Sequence, residues 1–494
     1  MLYHSTRGNS APVASSFAIH KGMVPGGGLF VPESFPRLEP GVLPTAYPQI
    51  AERILSLYLT DYTDDELHDA VAQGYSANFD AASIAPITFY DDTTAYLELW
   101  HGPTAAFKDL ALQLLPHLLR AAARKQGSDK EIVILVATSG DTGKAALEGF
   151  KDVPGTRIIV FYPKSGVSPI QEKQMVSTDG ANTAVIGVQG NFDDCQNMVK
   201  EIFNDAAFTA ELAAEGFAFS SANSINWGRL VPQIVYYYHA YLAMTANGSI
   251  GMGEPVCLAV PTGNFGNILA AYYAKLMGLP VSKLICASNA NRVLTDFFET
   301  GIYDMNREFI CTSSPSMDIL ISSNLERFLY SVSGGDAERV TNWQNGLAKE
   351  GCFSIGKDMR SAIRGIIAAS SISEEDVAKE IRRVFTAREY LIDTHTAVAS
   401  AALARYREES GDVTPAVIAA TASPYKVCQA VYDALAHEGR ADDEYMIMDV
   451  LRDITGVVIP QALRGLDNLQ ARHTRVIDVS GGREAIRSAL RPGA

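Results

Sequence analysis

At roughly 100–200 residues per domain, a chain of 494 residues is expected to hold two to four domains. Its composition, 47% apolar and 20% charged, is that of an ordinary globular protein and excludes a mainly disordered or collagen-like chain. A net charge of −15 argues against general binding to nucleic acid or to an anionic membrane, while leaving room for a small basic pocket.

The six cysteines, Cys195, Cys257, Cys286, Cys311, Cys352 and Cys428, include no CxxC pair, which excludes a zinc ribbon or a dithiol centre. They are also too sparse for a disulfide scaffold, and no metal site is expected. The opening MLYHSTRGNS has no basic run followed by an apolar core, so no signal peptide is expected. No run of about 18 apolar residues suggests a membrane span. A cytoplasmic location is the expectation.

Seven of the 22 prolines fall in the first 50 residues, which predicts turns and short extended pieces. Helical periodicity begins near Tyr47, and residues 1–90 read as an N-terminal extension. An apolar run, a polar or Gly-rich turn and a helix pattern then recur. Strands are predicted at 132–137, 157–162, 183–188, 256–260, 283–287 and 416–420. Helices are predicted from about 144, at 192–203, 230–246, 268–277 and 291–299, and near 427–437. Strands alternating with helices imply parallel sheets covered on both faces. More than five such units point to two open, doubly wound sheets. A (β/α)8 barrel is the second choice, because the helical segments near 360–410 break its alternation. The expected divisions are 1–90, 91–240, 241–440 with a helical insertion near 345–410, and 441–494.

Five loops carry candidate chemistry. In HGPTAAFKD (101–109), Lys108 stands where a helix begins; burial and the helix dipole would both lower its proton affinity and free an amine for Schiff-base formation. The plainer reading is a surface lysine paired with Asp109. In PTGNFGN (261–267), between a strand and a helix, two glycines let backbone N–H groups converge into a phosphate cradle or simply make a tight turn. TSGDTG (138–143) offers hydroxyls and N–H groups for a carboxylate, or a capped helix start. It is not a Walker loop, since two residues rather than four separate Gly140 from Gly143 and Ala145 stands where Ser or Thr is needed. SANSINWGR (221–229) sets Arg229 at a helix start, where its fork suits phosphate oxygens, or where it is a surface arginine behind an N-cap. TASPYK (421–426) puts the Thr421 hydroxyl at a strand's carboxyl end, facing a ligand crevice or capping a turn. His395 reads as a structural histidine at a helix start, and Tyr236, Tyr237, Tyr238 and Tyr241 as helix packing.

Together these motifs resemble the threonine synthases, a family of fold-type-II pyridoxal-phosphate enzymes. The resemblance covers most of the chain. It includes STRG (5–8), GGLFVP (27–32), the stretch from TDGAN to GNFDDCQ (178–196) and SPSMDILISSNLER (314–327), besides HGPTAAFKD, TSGDTG, SANSINWGR and PTGNFGN. It implies a tryptophan synthase β-like architecture of two open, mostly parallel doubly wound α/β sheets, with an N-terminal extension and a helical insertion. It implies pyridoxal 5'-phosphate as cofactor and Lys108 as its Schiff-base lysine. Gly263, Asn264, Phe265, Gly266 and Asn267 would hold the cofactor phosphate, and Thr421 would face the ring nitrogen. Thr138, Ser139, Asp141 and Thr142 would lie near the ring and the substrate carboxylate. Asn223, Ser224 and Arg229 would hold the substrate phosphate.

The implied reaction converts O-phospho-L-homoserine and water into L-threonine and phosphate, a carbon–oxygen lyase step that ends threonine biosynthesis. Lys108 would act as the base at Cα, and the 223–229 cluster would receive the leaving phosphate. Ser423 and Tyr425 depart from the family's His and Ala, which bears on the packing around Thr421. Asp141 stands where many fold-type-II enzymes have Asn, which bears on the contact to the ring oxygen. A serine/threonine dehydratase or a β-replacing synthase is the alternative activity, and SANSINWGR discriminates against both. A metabolite-binding protein without catalysis is a further alternative, opposed by the intact surroundings of Lys108. A monomer or homodimer without S-adenosylmethionine activation is expected.

Overall fold

Runs such as EIVILVA and RIIVFY are too continuously apolar to face water on either side, so each is buried as a central parallel strand. In the computed structural model, which describes residues 1–138, 140–435 and 443–491, they build two separate sheets. The smaller has five parallel strands in the order Val476–Asp478, Thr183–Gln189, Thr156–Pro163, Glu131–Ala137 and Phe217–Ser220. The larger has six, in the order Ile367–Ser371, Val281–Ser288, Val256–Pro261, Ala416–Ala420, Thr94–Glu98 and Ile87–Asp91. Only its last pair is antiparallel. Two open sheets, not a closed barrel, are therefore the architecture.

The six predicted strands are all present, within two residues at each end. The helix expected from about 144 begins three residues earlier, so Asp141 lies in its first turn (Asp141–Phe150). The segment read as one helix from 230 is a short turn, Trp227–Leu230, followed by Pro232–Ala246, because Pro232 starts a new helix. The region of the helical insertion holds the edge strand Ile367–Ser371 between helices, and its helix Thr394–Ser410 covers a face of the larger sheet. Residues 436 and 437, the end of the helix expected near 427–437, lie outside the described residues.

Before residue 90, Leu2–Ser5, Val13–Ala14 and Phe30–Pro32 make a small antiparallel sheet, and helices Tyr47–Tyr58 and Asp64–Gly74 bury an apolar stripe on the body. Thr6 and Arg7 reach across to the Glu326 carboxylate, with Arg7 in a two-pronged pair at 3.0 and 2.8 Å. The motifs STRG and SSNLER thus meet in space.

Gly149 sets the distance between two helices that matter below. A methyl group on it would stand 2.1 Å from the carbonyl oxygen of Leu112. Only a glycine lets helix Asp141–Phe150 lie directly on Asp109–Leu112. Among the described residues, no helix is long and apolar enough to cross a membrane.

Candidate active site

The HGPT turn delivers Lys108 by two constraints. Gly102 leaves the space that the Asp109 side chain fills, since a Cβ there would lie 2.5 Å from that of Asp109. Asp109 in turn accepts the N–H and the hydroxyl of Thr104, at 2.8 and 2.7 Å. The same stretch is stitched to the carboxyl end of strand Ala416–Ala420: Phe107 N–H donates to the Thr421 carbonyl (2.8 Å) and Ser423 N–H to that of Ala105 (3.1 Å). Thr421 and Lys108 are held side by side as a result.

Burial holds the Asp109 carboxyl up at about 6, above its value in an unfolded chain. The folded state therefore binds this proton more tightly. That contribution to stability is present below about pH 4 and is lost as pH rises through about 6. Urea titrations should show the wild type losing up to about 3 kcal/mol relative to Asp109→Asn between those limits. A difference that stays constant with pH would contradict it.

The Lys108 amine is lowered in proton affinity, chiefly by burial and further by the charges of Lys426 and Arg229; Asp141 opposes them. The helix dipole invoked from the sequence plays little part, because the helix it precedes, Asp109–Leu112, is a single turn. Lys108 Nζ lies 3.3 Å from Ser316 Oγ and 3.6 Å from Asp141. The surface-lysine reading, with Asp109 as partner, is thereby replaced. Asp141 is shared: its other oxygen pairs with Lys426 at 2.7 Å, and Lys426 also donates to the Thr104 carbonyl at 3.0 Å. Burial works to raise the Asp141 carboxyl, but the two lysines overcome it and keep it ionised far below the usual carboxylate range.

Ser316, Lys426 and the pair Asp393–His395 were not assigned to the site from the sequence. His395 Nε2 accepts the backbone N–H of Ser316 at 3.2 Å, so its proton sits on Nδ1, which lies 2.6 Å from Asp393. His395 is thus a positioning group for Ser316 beyond its place at a helix start. Both SPSMD and TASPYK are visible as motifs, but the contacts join residues up to 322 positions apart, which spacing cannot reveal.

The 263–267 turn follows strand Val256–Pro261 and opens helix Gly266–Met277. Gly263 packs so closely on the Ser316 carbonyl that a Cβ would lie 2.7 Å from its oxygen. Phe265 takes a left-handed conformation (φ 64°), held there by Phe298 and Phe328. Asn267 is buried, and its side-chain oxygen is taken up by the hydroxyls of Tyr236 (2.7 Å) and Tyr237, leaving Nδ2 without a partner. Two tyrosines of the stripe read as packing therefore turn an amide donor outward from that oxygen. A buried orphan donor beside a helix N-terminus fits an anion such as the phosphate of a cofactor.

Arg229 is 3% exposed, and its guanidinium donates to the Ala222 carbonyl at 2.6 Å, while Nε has no partner. Burial without any carboxylate alongside pushes it down to about 10. Arg327, equally buried, is instead fully occupied by Phe30, Asn324 and Ile225. Asn324 ties the 221–229 and 263–267 loops together, donating to the carbonyls of Ser224 (3.3 Å) and Asn264 (3.2 Å). Asn223 is exposed and caps its own turn through Ser224 and Ile225. Thr138 directs its hydroxyl at the N–H groups of Gly140 and Gly143, which makes it a shaper of the 138–143 turn. Thr142 is half-buried in the first turn of its helix, and Ser139 lies outside the described residues.

Residues 95–422 match the family model for pyridoxal-phosphate dependent enzymes, and residues 2–75 match that for the threonine synthase N terminus. The chain is 41% identical over 434 residues to human threonine synthase-like 1, covering 85% of this chain but only 58% of that protein's length. It is 35% identical to the threonine synthase of Saccharomyces cerevisiae, covering 88% of this chain and 89% of the yeast protein. A crystal structure of PLP-bound threonine synthase from Brucella melitensis superposes with a TM-score of 0.88 at 35% identity, covering 99% of this chain and 100% of that one.

Proposed function

The chain belongs to the pyridoxal-phosphate dependent enzymes, within their threonine synthases, and on that premise we propose that it converts O-phospho-L-homoserine and water into L-threonine and phosphate. The observation that carries this reading is the buried Arg229, which has no carboxylate partner and stands near Lys108. A dehydratase or β-replacing synthase needs no second anion site beside the one for the cofactor phosphate.

The cofactor is pyridoxal 5'-phosphate; when bound, it supplies an electron-accepting ring that stabilises negative charge at the substrate's α-carbon. Lys108 is the amine that joins it covalently. The 263–267 turn and the free Asn267 amide would hold its phosphate, and Thr421 would supply the hydroxyl for its ring nitrogen. A neutral hydroxyl there would leave that nitrogen largely unprotonated. That arrangement places more of the catalytic demand on the protein's own groups.

Lys108, once released to substrate, removes the proton at Cα and serves as the local acid and base. Its lowered proton affinity, set chiefly by burial, suits it to give up and take back a proton. Asp141, kept ionised by Lys426, orients the Lys108 amine together with Ser316. Arg229, with Asn223 and Ser224 at the neighbouring turn, receives the charge that gathers on the departing phosphate. Thr138 and Thr142 belong to the turn that would meet the substrate carboxylate. The chain's reading as a lyase rests on this pairing of one amine with two anion sites.

The decisive assay is release of inorganic phosphate and formation of threonine from O-phospho-L-homoserine by the cofactor-loaded protein. Stoichiometric release of both is expected. Pyruvate from serine, or 2-oxobutyrate from threonine, without phosphate release from phosphohomoserine would instead establish the dehydratase reading.

A further inference from the structure

A second cleft, of about 290 Å³, lies away from Lys108 between helix Asp141–Phe150, the end of helix Pro169–Val176 and the C-terminal stretch 462–472. The C-terminal stretch is fixed there by its backbone: the N–H groups of Arg472 and His473 donate to the Val176 carbonyl at 2.7 and 3.0 Å. Its walls hold hydrogen-bonding capacity that the fold leaves unused. Gln174 is 1% exposed, and neither end of its carboxamide has a partner; the hydroxyl of Thr178, 3% exposed, has none either. Buried amides and hydroxyls are nearly always satisfied, so three orphan atoms on one cleft wall mark a place where another molecule completes the bonding.

The charges define what that molecule is. Lys144 is paired with Glu148, and Lys151 with Asp179, so four of the five charged groups already neutralise one another. Arg472 is the fifth. It is exposed at the rim, and its guanidinium makes no hydrogen bond among the described residues. The cleft therefore offers a fork for a carboxylate, and an unpartnered amide oxygen and hydroxyl that can accept from an ammonium. We propose that this cleft is a binding site for a small α-amino acid, separate from the active site. Its volume suits a ligand of that size. It also shares two segments with the active site: Pro103 precedes Lys108 in the same turn, and Lys144 sits one helical turn from Asp141.

Calorimetric titration of the cofactor-loaded protein with L-aspartate, L-threonine and inorganic phosphate tests this, with cofactor absorbance followed in parallel. At least one of the two amino acids should bind in a step that leaves the absorbance unchanged. Gln174→Met and Arg472→Ala should each weaken that step at least tenfold, while kcat/KM measured without added amino acid stays within twofold of wild type. If neither amino acid binds in such a step, or if both variants bind as the wild type does, the proposal is overturned. It is equally overturned if phosphate binds as tightly as the amino acids and does so undiminished in Gln174→Met, since the cleft is then only a patch of positive charge.

Discussion

Lys108→Ala is expected to abolish both turnover and the borohydride-reducible absorbance of the bound cofactor. The amine combines burial, a lowered proton affinity and a position beside Thr421. Loss of a positioned acid–base group costs about 10²–10⁴-fold in rate, and loss of the covalent anchor adds to it. The fold should survive. Lys108 precedes a one-turn helix, its side chain is 12% exposed, and its partners Asp141 and Ser316 keep Lys426 and His395 respectively. The thermal midpoint should therefore stay within a few degrees of wild type. A Lys108→Ala protein that kept its absorbance after borohydride and dialysis would place the attachment elsewhere, and Lys426, 2.7 Å from Asp141, would be the next lysine to examine.

How far the sequence discloses this site depends on whether a contact is local. Strand 416–420 was readable because AVIAA is a continuous small apolar run that ends at a turn. Thr94–Glu98 (TAYLE) was not, although it lies directly beside it in the sheet. Its apolar residues are few, and its buried Glu98 is accommodated by His101, Thr88 and Tyr390, a network no periodicity announces. The same holds for Ile367–Ser371 (IAASS), hidden within a helical stretch. In the site, Lys108, Thr421 and the 263–267 turn follow from strand–turn–helix grammar and from the family resemblance. Their supports do not. Ser316 orients Lys108 only because His395 fixes it from another helix, and Asn267 offers a free donor only because Tyr236 and Tyr237 occupy its oxygen. Tyr236 and Tyr237 look like packing in sequence because their ring faces do pack; the hydroxyls carry the part that matters here.

Arg229 supplies the second large effect, and it separates function from stability. A buried cation with no counter-ion is a cost to the folded chain. Its fall to about 10 from the ordinary arginine range corresponds to about 3 kcal/mol. Burial pushes Arg327 nearby down as far, but each of its nitrogens has a partner, whereas Arg229 keeps Nε free for a ligand that brings the missing charge. Arg229→Met should therefore do two opposite things. The apoprotein should unfold at the same temperature or higher, by up to about 3 kcal/mol in stability, because the unpaired charge is gone and the volume is kept. Turnover of O-phospho-L-homoserine should fall by about 10²–10³-fold in kcat/KM, the scale of removing a charge-assisted donor from a developing anion. Inhibition by inorganic phosphate should weaken in parallel, while cofactor absorbance is retained. Arg229→Lys should recover part of the rate, since it restores the charge without the planar fork. Arg327→Met makes the control: it strands Asn324 and two carbonyls, so it should lower the unfolding temperature. If Arg229→Met behaves like that control, losing stability and keeping kcat/KM, then Arg229 is a structural residue and the leaving phosphate must be received elsewhere.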